Sequence, residues 1–225
     1  MQKIAGKITL ASGSIAPIIG DIWAQAGLRL SEAQQGLVDM RDASNQLEYQ
    51  FGWTKFVDSV EAFWTNLYSV GKNNFTAFKP WIAKYEGQRS NDQLLQYLRQ
   101  ARHQSQHGGN PLNWDEGHVE IGGPKFSGTV SELSIWQTGD FTAQINSSSG
   151  TGQFQLIHHP PKPALRAILN TREKREYPPP TIHLDRPVEK QSPEFAALLG
   201  LRYYEDVFRA ARNTFILGLV QEKRG

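Results

Sequence analysis

One stretch of the chain sets chemically capable side chains at close spacing. It reads Tyr97-Leu98-Arg99-Gln100-Ala101-Arg102-His103-Gln104-Ser105-Gln106-His107-Gly108. Within it, Arg102-His103 is followed by three residues and then His107. Histidine titrates near neutral pH, so an imidazole can take a proton or give one. Arginine keeps its charge and presents a planar fork of N–H donors to phosphate oxygens. RNA carries its own nucleophile, the 2′-OH beside each phosphate. Its cleavage needs a proton acceptor, a proton donor and a cation for the crowded phosphate. Arg and His supply these without a metal or a cofactor.

These residues resemble the Arg-polar-x3-His signature of the HEPN superfamily, whose members are helical bundles. Many of that family are metal-independent endoribonucleases of toxin or phage-defence systems, and others are non-catalytic. The likeness takes in residues 31–107 and the last helix, with the signature late in a helix behind earlier amphipathic ones. It leaves out the strand-rich stretch 115–158, which stands as an insertion or an added module. The resemblance implies His107 as the acid/base and Arg102 as the phosphate-stabilising cation. His103 takes the variable polar position and, with Arg99, would contact the substrate. It also implies a homodimer, since paired motifs across a dimer are the family's usual arrangement. RNA as substrate and an antitoxin partner follow from the same likeness.

Helix geometry qualifies this picture. Residues 102 and 107 are five apart, about 140° round an ideal helix, so they do not share a face. Arg99, His103 and His107 do, at i, i+4 and i+8. Either the last turn distorts before Gly108, or two copies of the helix complete the site. Two plainer readings stand beside the nuclease. Arg and His near a helix C-terminus also bond the last carbonyls and favour the dipole. A non-catalytic helical interaction module, or one that binds nucleotide or RNA, would keep the bundle without the reaction.

The surrounding elements fall into four regions. Residues 1–30 are small, apolar and Gly-interrupted, with a strand over Lys3–Leu10. Residues 31–109 and 190–222 form a helical bundle. Ser44 is the expected N-cap of a long aromatic-rich helix over 45–68. Its apolar face comprises Leu47, Phe51, Phe56, Val60, Phe63, Trp64 and Leu67. A short helix spans Phe78–Tyr85, and Gly87–Asn91 is a break. Ser90 with Gln93 opens the motif-bearing helix as a capping box. Gly108-Gly109 and Pro111 stop it. Residues 110–160 switch to a period of two and read as an antiparallel β-meander. Residues 160–190 are a Pro-rich connection with one short helix at Ala164–Leu169. Ser192-Pro193-Glu194 then opens a final helix. The fold class is α+β, mainly helical: a HEPN-like bundle with an added antiparallel meander.

Composition narrows the function classes. The chain has 225 residues, no cysteine, 24 Lys+Arg and 22 Asp+Glu. Zero cysteine removes disulfide scaffolds, thiol nucleophiles and Cys-ligated zinc. The small net charge of +2 argues against gripping nucleic acid by bulk charge. Residues 31–107 hold eight basic and eight acidic residues, so RNA contact must rest on the local placement of Arg99 and Arg102. Residues 1–27 contain no continuous apolar h-region, and no run approaches the roughly 18 residues of a membrane span. The expectation is a cytoplasmic protein without a membrane. His118, His158, His159 and His183 lack metal-site spacing and read as structural or solvated. The run Thr171-Arg172-Glu173-Lys174-Arg175-Glu176 reads as a solvated face.

Overall fold

The polar and apolar spacing produces helices, three of which start at a side-chain cap. The computed structural model describes residues 15–107, 109, 111–115, 118–122, 130–138, 140–147, 150–159 and 162–217. Its helices are α1 (Ile15–Asp42), α2 (Gln46–Asn74), α3 (Phe78–Asn91), α4 (Gln93–Gln106) and α5 (Pro193–Arg212), the last continued by a π turn at Asn213–Leu217. The protein is therefore α+β and mainly helical. α1 runs straight through the boundary expected at residue 30. Pro17 falls in its first turn, where a missing N–H is tolerated. The strand expected at Lys3–Leu10 lies outside the described residues.

α1 and α2 form an antiparallel hairpin whose backbones touch at two glycines. A Cβ on Gly36 would stand 2.8 Å from the Gly52 carbonyl oxygen, and one on Gly52 would stand 2.7 Å from the Met40 nitrogen. No other residue allows that approach. α2 buries Trp53, Phe56, Val57, Val60, Phe63, Trp64 and Leu67 against the other helices. Leu47 and Phe51, expected on that face, are instead 59% and 64% exposed. At 100° per residue Leu47 lies about 180° from Phe56, so both cannot face inward. Phe63 packs edge-on against Tyr204 and Phe208 of α5, at 5.8 and 5.7 Å between ring centroids.

Three helix ends differ from expectation, two because a better-placed oxygen caps them and one because a buried arginine anchors it. The N-cap of α2 is Asn45 rather than Ser44. Its side chain accepts from Glu48 N–H at 3.0 Å, while the Glu48 carboxylate accepts from Ser44 N–H at 2.8 Å. α3 continues through Gly87 to Asn91 instead of breaking at 87. Tertiary anchoring outweighs the roughly 1 kcal/mol glycine cost. The anchor is Arg89, whose guanidinium bonds the Glu61 carboxylate and the Tyr204 hydroxyl, and lies 4.2 Å from the Trp64 ring centroid. α4 is capped by Asp92, not Ser90, and the Asp92 carboxylate accepts from Leu95 N–H at 2.9 Å. Ser192 caps α5 as expected, with Pro193 and Glu194 in the first turn.

Residues up to Asn113 and from Leu165 form one unit, and Trp114–Ala164 form a second. The strands are β1 (Leu112–Asp115), β2 (His118–Gly122), β3 (Val130–Thr138), β4 (Asp140–Ser147), β5 (Gly150–His159) and β6 (Lys162–Leu165). β2, β5, β4 and β3 make a four-stranded antiparallel sheet in that order. Apolar positions oppose one another in its register: Ile121 faces Leu156 and Leu133 faces Ile145. β3, β4 and β5 are connected as the meander expected from the period-two pattern, while β2 departs from it by lying beside β5.

The Pro-rich region is not a plain connection, and it holds no helix at 164–169. It forms β7 (Ile168–Asn170) with β8 (Arg175–Tyr177), then β9 (Ile182–His183) with β10 (Arg186–Pro187). The Arg166 carbonyl is taken by the Tyr97 hydroxyl at 2.8 Å, and its N–H donates to the Pro111 carbonyl at 3.1 Å. Neither group is left for a helical ladder.

Candidate functional site

The C-terminal half of α4 presents the motif. Its inner face, Leu94, Leu95, Tyr97, Leu98 and Ala101, is fully buried. That fixes the direction of the polar residues between them. The last turn tightens: the His107 N–H donates to the Gln104 carbonyl at 3.1 Å, an i to i−3 bond. Gly109 N–H donates to the same carbonyl at 3.0 Å. His107 is the C-cap residue and its side chain is exposed.

This geometry brings His103 and His107 together. Their rings meet edge to face with centroids 4.6 Å apart. Arg102 points elsewhere, towards α2. Its Nε lies 3.5 Å from a carboxylate oxygen of Asp58. The Gln106 amide oxygen, turned towards it, accepts from Nε at 3.1 Å and Nη2 at 2.7 Å. Arg102 and Asp58 remain 40% and 46% exposed, so the pair is a surface one. The motif's cation and its last histidine are both accessible, on different faces of the helix.

A cavity of about 460 Å³ opens beside α4. Arg99, Gln100, Arg102 and His103 form one wall, Asn170, Arg172 and Glu173 the other, with Glu61 also lining it. Thus three of the four sequence-predicted residues line one cavity, while His107 stands outside its lining against His103. A second cavity, of about 540 Å³ between α1 and α5, holds no motif residue; its Arg209 pairs with Asp206 at 3.2 Å.

The opposing wall is built by β7 and β8. The Gln100 side-chain oxygen accepts from the Asn170 amide at 3.0 Å, and both residues are buried. The Asn170 oxygen then accepts from the backbone N–H groups of Arg172 and Glu173, at 3.1 and 3.0 Å. One buried amide pair therefore fixes the turn that carries Arg172. The Tyr177 hydroxyl donates to Glu173 at 2.6 Å. That bond, with burial second, raises the Tyr177 hydroxyl above its ordinary value. Sequence reasoning missed Arg172, Asn170 and Glu61 as cavity residues. The charge run contained Arg172, but nothing in it signalled which helix it would meet.

The N-terminal end of α4 is also tied to a hairpin. Asp92 accepts from the backbone N–H of Leu95 at 2.9 Å and of Leu184 at 2.7 Å, and its Oδ1 lies 3.0 Å from His183 Nδ1. Burial alone would raise the carboxyl. The bonds from His183, Leu184 and Leu95 outweigh it and hold Asp92 below its ordinary value. Of the histidines read as structural or solvated, His183 thus has a structural partner. The side chains of His118, His158 and His159 lie outside the described ones. Among the described residues, no group of three or more His, Cys, Asp or Glu is placed to hold a metal ion. No described helix is long and apolar enough to cross a membrane.

No protein-family model, curated protein or solved structure matches the chain.

Proposed function

We propose that the protein is a HEPN-like, metal-independent endoribonuclease acting at the end of α4. The observation that carries this reading is the exposed Arg102-His103-x3-His107 set at a bundle helix end, with Arg99, Arg102 and His103 lining one cavity. In the proposed reaction an imidazole takes the proton of an RNA 2′-OH. The O2′–P bond forms as the P–O5′ bond breaks, and a protonated imidazole delivers a proton to the leaving O5′. His107 is assigned the acid/base role. His103, in ring contact with it, holds the substrate or carries the second proton. Arg102 stabilises the crowded phosphate, and Arg99 binds the strand. Since Arg102 and His107 occupy different faces, a homodimer would let one copy's Arg102 serve the other's His107. An antitoxin covering this helix end would fit a cytoplasmic toxin.

The test is RNA cleavage in EDTA by the wild type, Arg102→Ala and His107→Ala. The wild type should cut, and each variant should lose about 10² to 10⁴ of the rate. Equal rates in all three would remove the site. For the dimer, a mixture of the two inactive variants should regain activity that neither has alone.

A second reading is an RNA- or nucleotide-binding module without cleavage. One observation favours it: His107, the assigned acid/base, is not in the cavity lining, so the cations meet apart from it. A protein that binds RNA tightly but releases no 2′,3′-cyclic phosphate would establish this reading instead.

A further inference from the structure

We infer that the β7–β8 turn is a phosphate clamp: Arg172 faces α4 across the cavity and binds the backbone of a single-stranded RNA beside Arg99. The inference rests on the reading above only in taking RNA as the strand. Three observations support it. First, the cavity's carboxylates are already engaged. Glu61 is bonded to the buried Arg89 and Glu173 to the Tyr177 hydroxyl. Second, Arg99 and Arg172 have no ion-pair or hydrogen-bond partner for their guanidinium groups among the described residues, although both line the cavity. Third, the turn is fixed in place. The buried Gln100–Asn170 amide bond ties it to α4, and the Asn170 oxygen holds the Arg172 and Glu173 N–H groups. A preorganised turn removes the backbone share of the ordering cost, leaving only the exposed Arg172 side chain to be ordered on binding.

Two unpaired guanidinium groups face one carboxylate that no cation neutralises, Glu173, since Glu61 is paired with Arg89, and this excess of positive charge attracts an anion of phosphate chemistry. Its two walls come from a helix and a turn, which suits a strand passing between them better than a compact metabolite. Arg172 is therefore a positioning residue for the strand rather than part of the bond-breaking step.

The probe is a fluorescein-labelled 2′-O-methyl oligouridine of about twelve nucleotides, which has no free 2′-OH and cannot be cut by the proposed reaction. Binding to the wild type, Arg172→Ala, Arg172→Lys and the exposed control Lys190→Ala is followed by anisotropy over a range of salt. Arg172→Ala should weaken binding about 5- to 30-fold and lower the salt slope by roughly 0.7, one phosphate contact. Arg172→Lys should recover part of the affinity, and Lys190→Ala should match the wild type. On cuttable RNA, Arg172→Ala should raise KM with kcat little changed. Unchanged affinity and slope in Arg172→Ala, or no oligouridine binding by the wild type, would overturn the clamp. Loss of binding in Arg172→Ala with undiminished cutting by His107→Ala would leave the clamp standing and remove the nuclease assignment.

Discussion

The two ends of α4 use the same device and leave it in opposite states. Each end is joined to a short hairpin, β9–β10 at the N-terminus and β7–β8 at the C-terminus. At the first, the polar groups satisfy one another. Asp92 takes two backbone N–H groups and pairs with His183, and both side chains are nearly buried, at 6% and 11% exposure. At the second, the anchor is equally buried, since Gln100 and Asn170 hold it, but the cations are left open to solvent. Arg99 and His103 are exposed and Arg102 is 40% exposed. The difference separates polar residues that make the fold from polar residues that are held by it. The first kind should cost stability when removed, the second kind activity.

The largest expected effect is at the open end. His107→Ala should lower the cleavage rate by about 10² to 10⁴ while leaving the unfolding free energy within about 0.5 kcal/mol. The His107 ring is exposed and makes an edge-to-face contact with the His103 ring. A large fall in stability would place His107 with the structural residues and erase the contrast.

Next comes the closed end. Asp92→Ala removes an N-cap and leaves the Leu184 N–H and the His183 ring without their partner. The expected cost is about 2–4 kcal/mol, read from urea unfolding. Cleavage by the folded fraction should be unchanged. A cost below about 0.5 kcal/mol would show that the Asp92 contacts carry no weight.

The same carboxylate predicts an acid response. Its folded pKa lies below the ordinary carboxylate value, so its contribution is complete above about pH 4. That contribution is lost as pH falls through the lowered folded value. The wild type should therefore lose more stability than Asp92→Asn between pH 5 and pH 3. Protection of the Leu184 amide against hydrogen exchange should fall in the same window. Parallel pH profiles for the two proteins would contradict the assignment.

The two ends also differ in how far the sequence disclosed them. The motif was visible because Arg102, His103 and His107 lie within six consecutive residues and their chemistry is recognisable by type. The helix carrying it followed from the spacing of Leu94, Leu95, Leu98 and Ala101. The meander followed from period-two alternation. What stayed hidden depends on long-range contacts. Gln93 three residues beyond Ser90 mimics a capping box, and only the reach of Asp92 to His183, 91 residues away, shows which residue caps α4. Gly87 looks like a break until Arg89 is seen bonded to Glu61 and Tyr204. The Ala164–Leu169 stretch has helical composition, but Tyr97 takes the Arg166 carbonyl from 69 residues away. Arg172 could be read only as one charge among five until Gln100 fixed the turn beside α4.

The smallest predicted effect tests whether Arg102 belongs with the open end at all. Its partner Asp58 is 46% exposed and 3.5 Å away, so the pair should contribute only about 0.2–1 kcal/mol. Asp58→Ala should change stability by no more than that, measured by urea unfolding. Its effect on cutting discriminates more sharply. If Arg102 is a phosphate cation that Asp58 merely steadies, losing Asp58 leaves the guanidinium with Gln106 and unneutralised. RNA should then bind slightly tighter, with a modest loss of kcat from looser placement. If Arg102 serves mainly to pair with α2, Asp58→Ala and Arg102→Ala should have equal small effects on stability and none on cutting. The double variant decides between these readings. Additive stability losses with activity tracking Arg102 alone place Arg102 in the site, and coupled losses with intact activity return it to the fold.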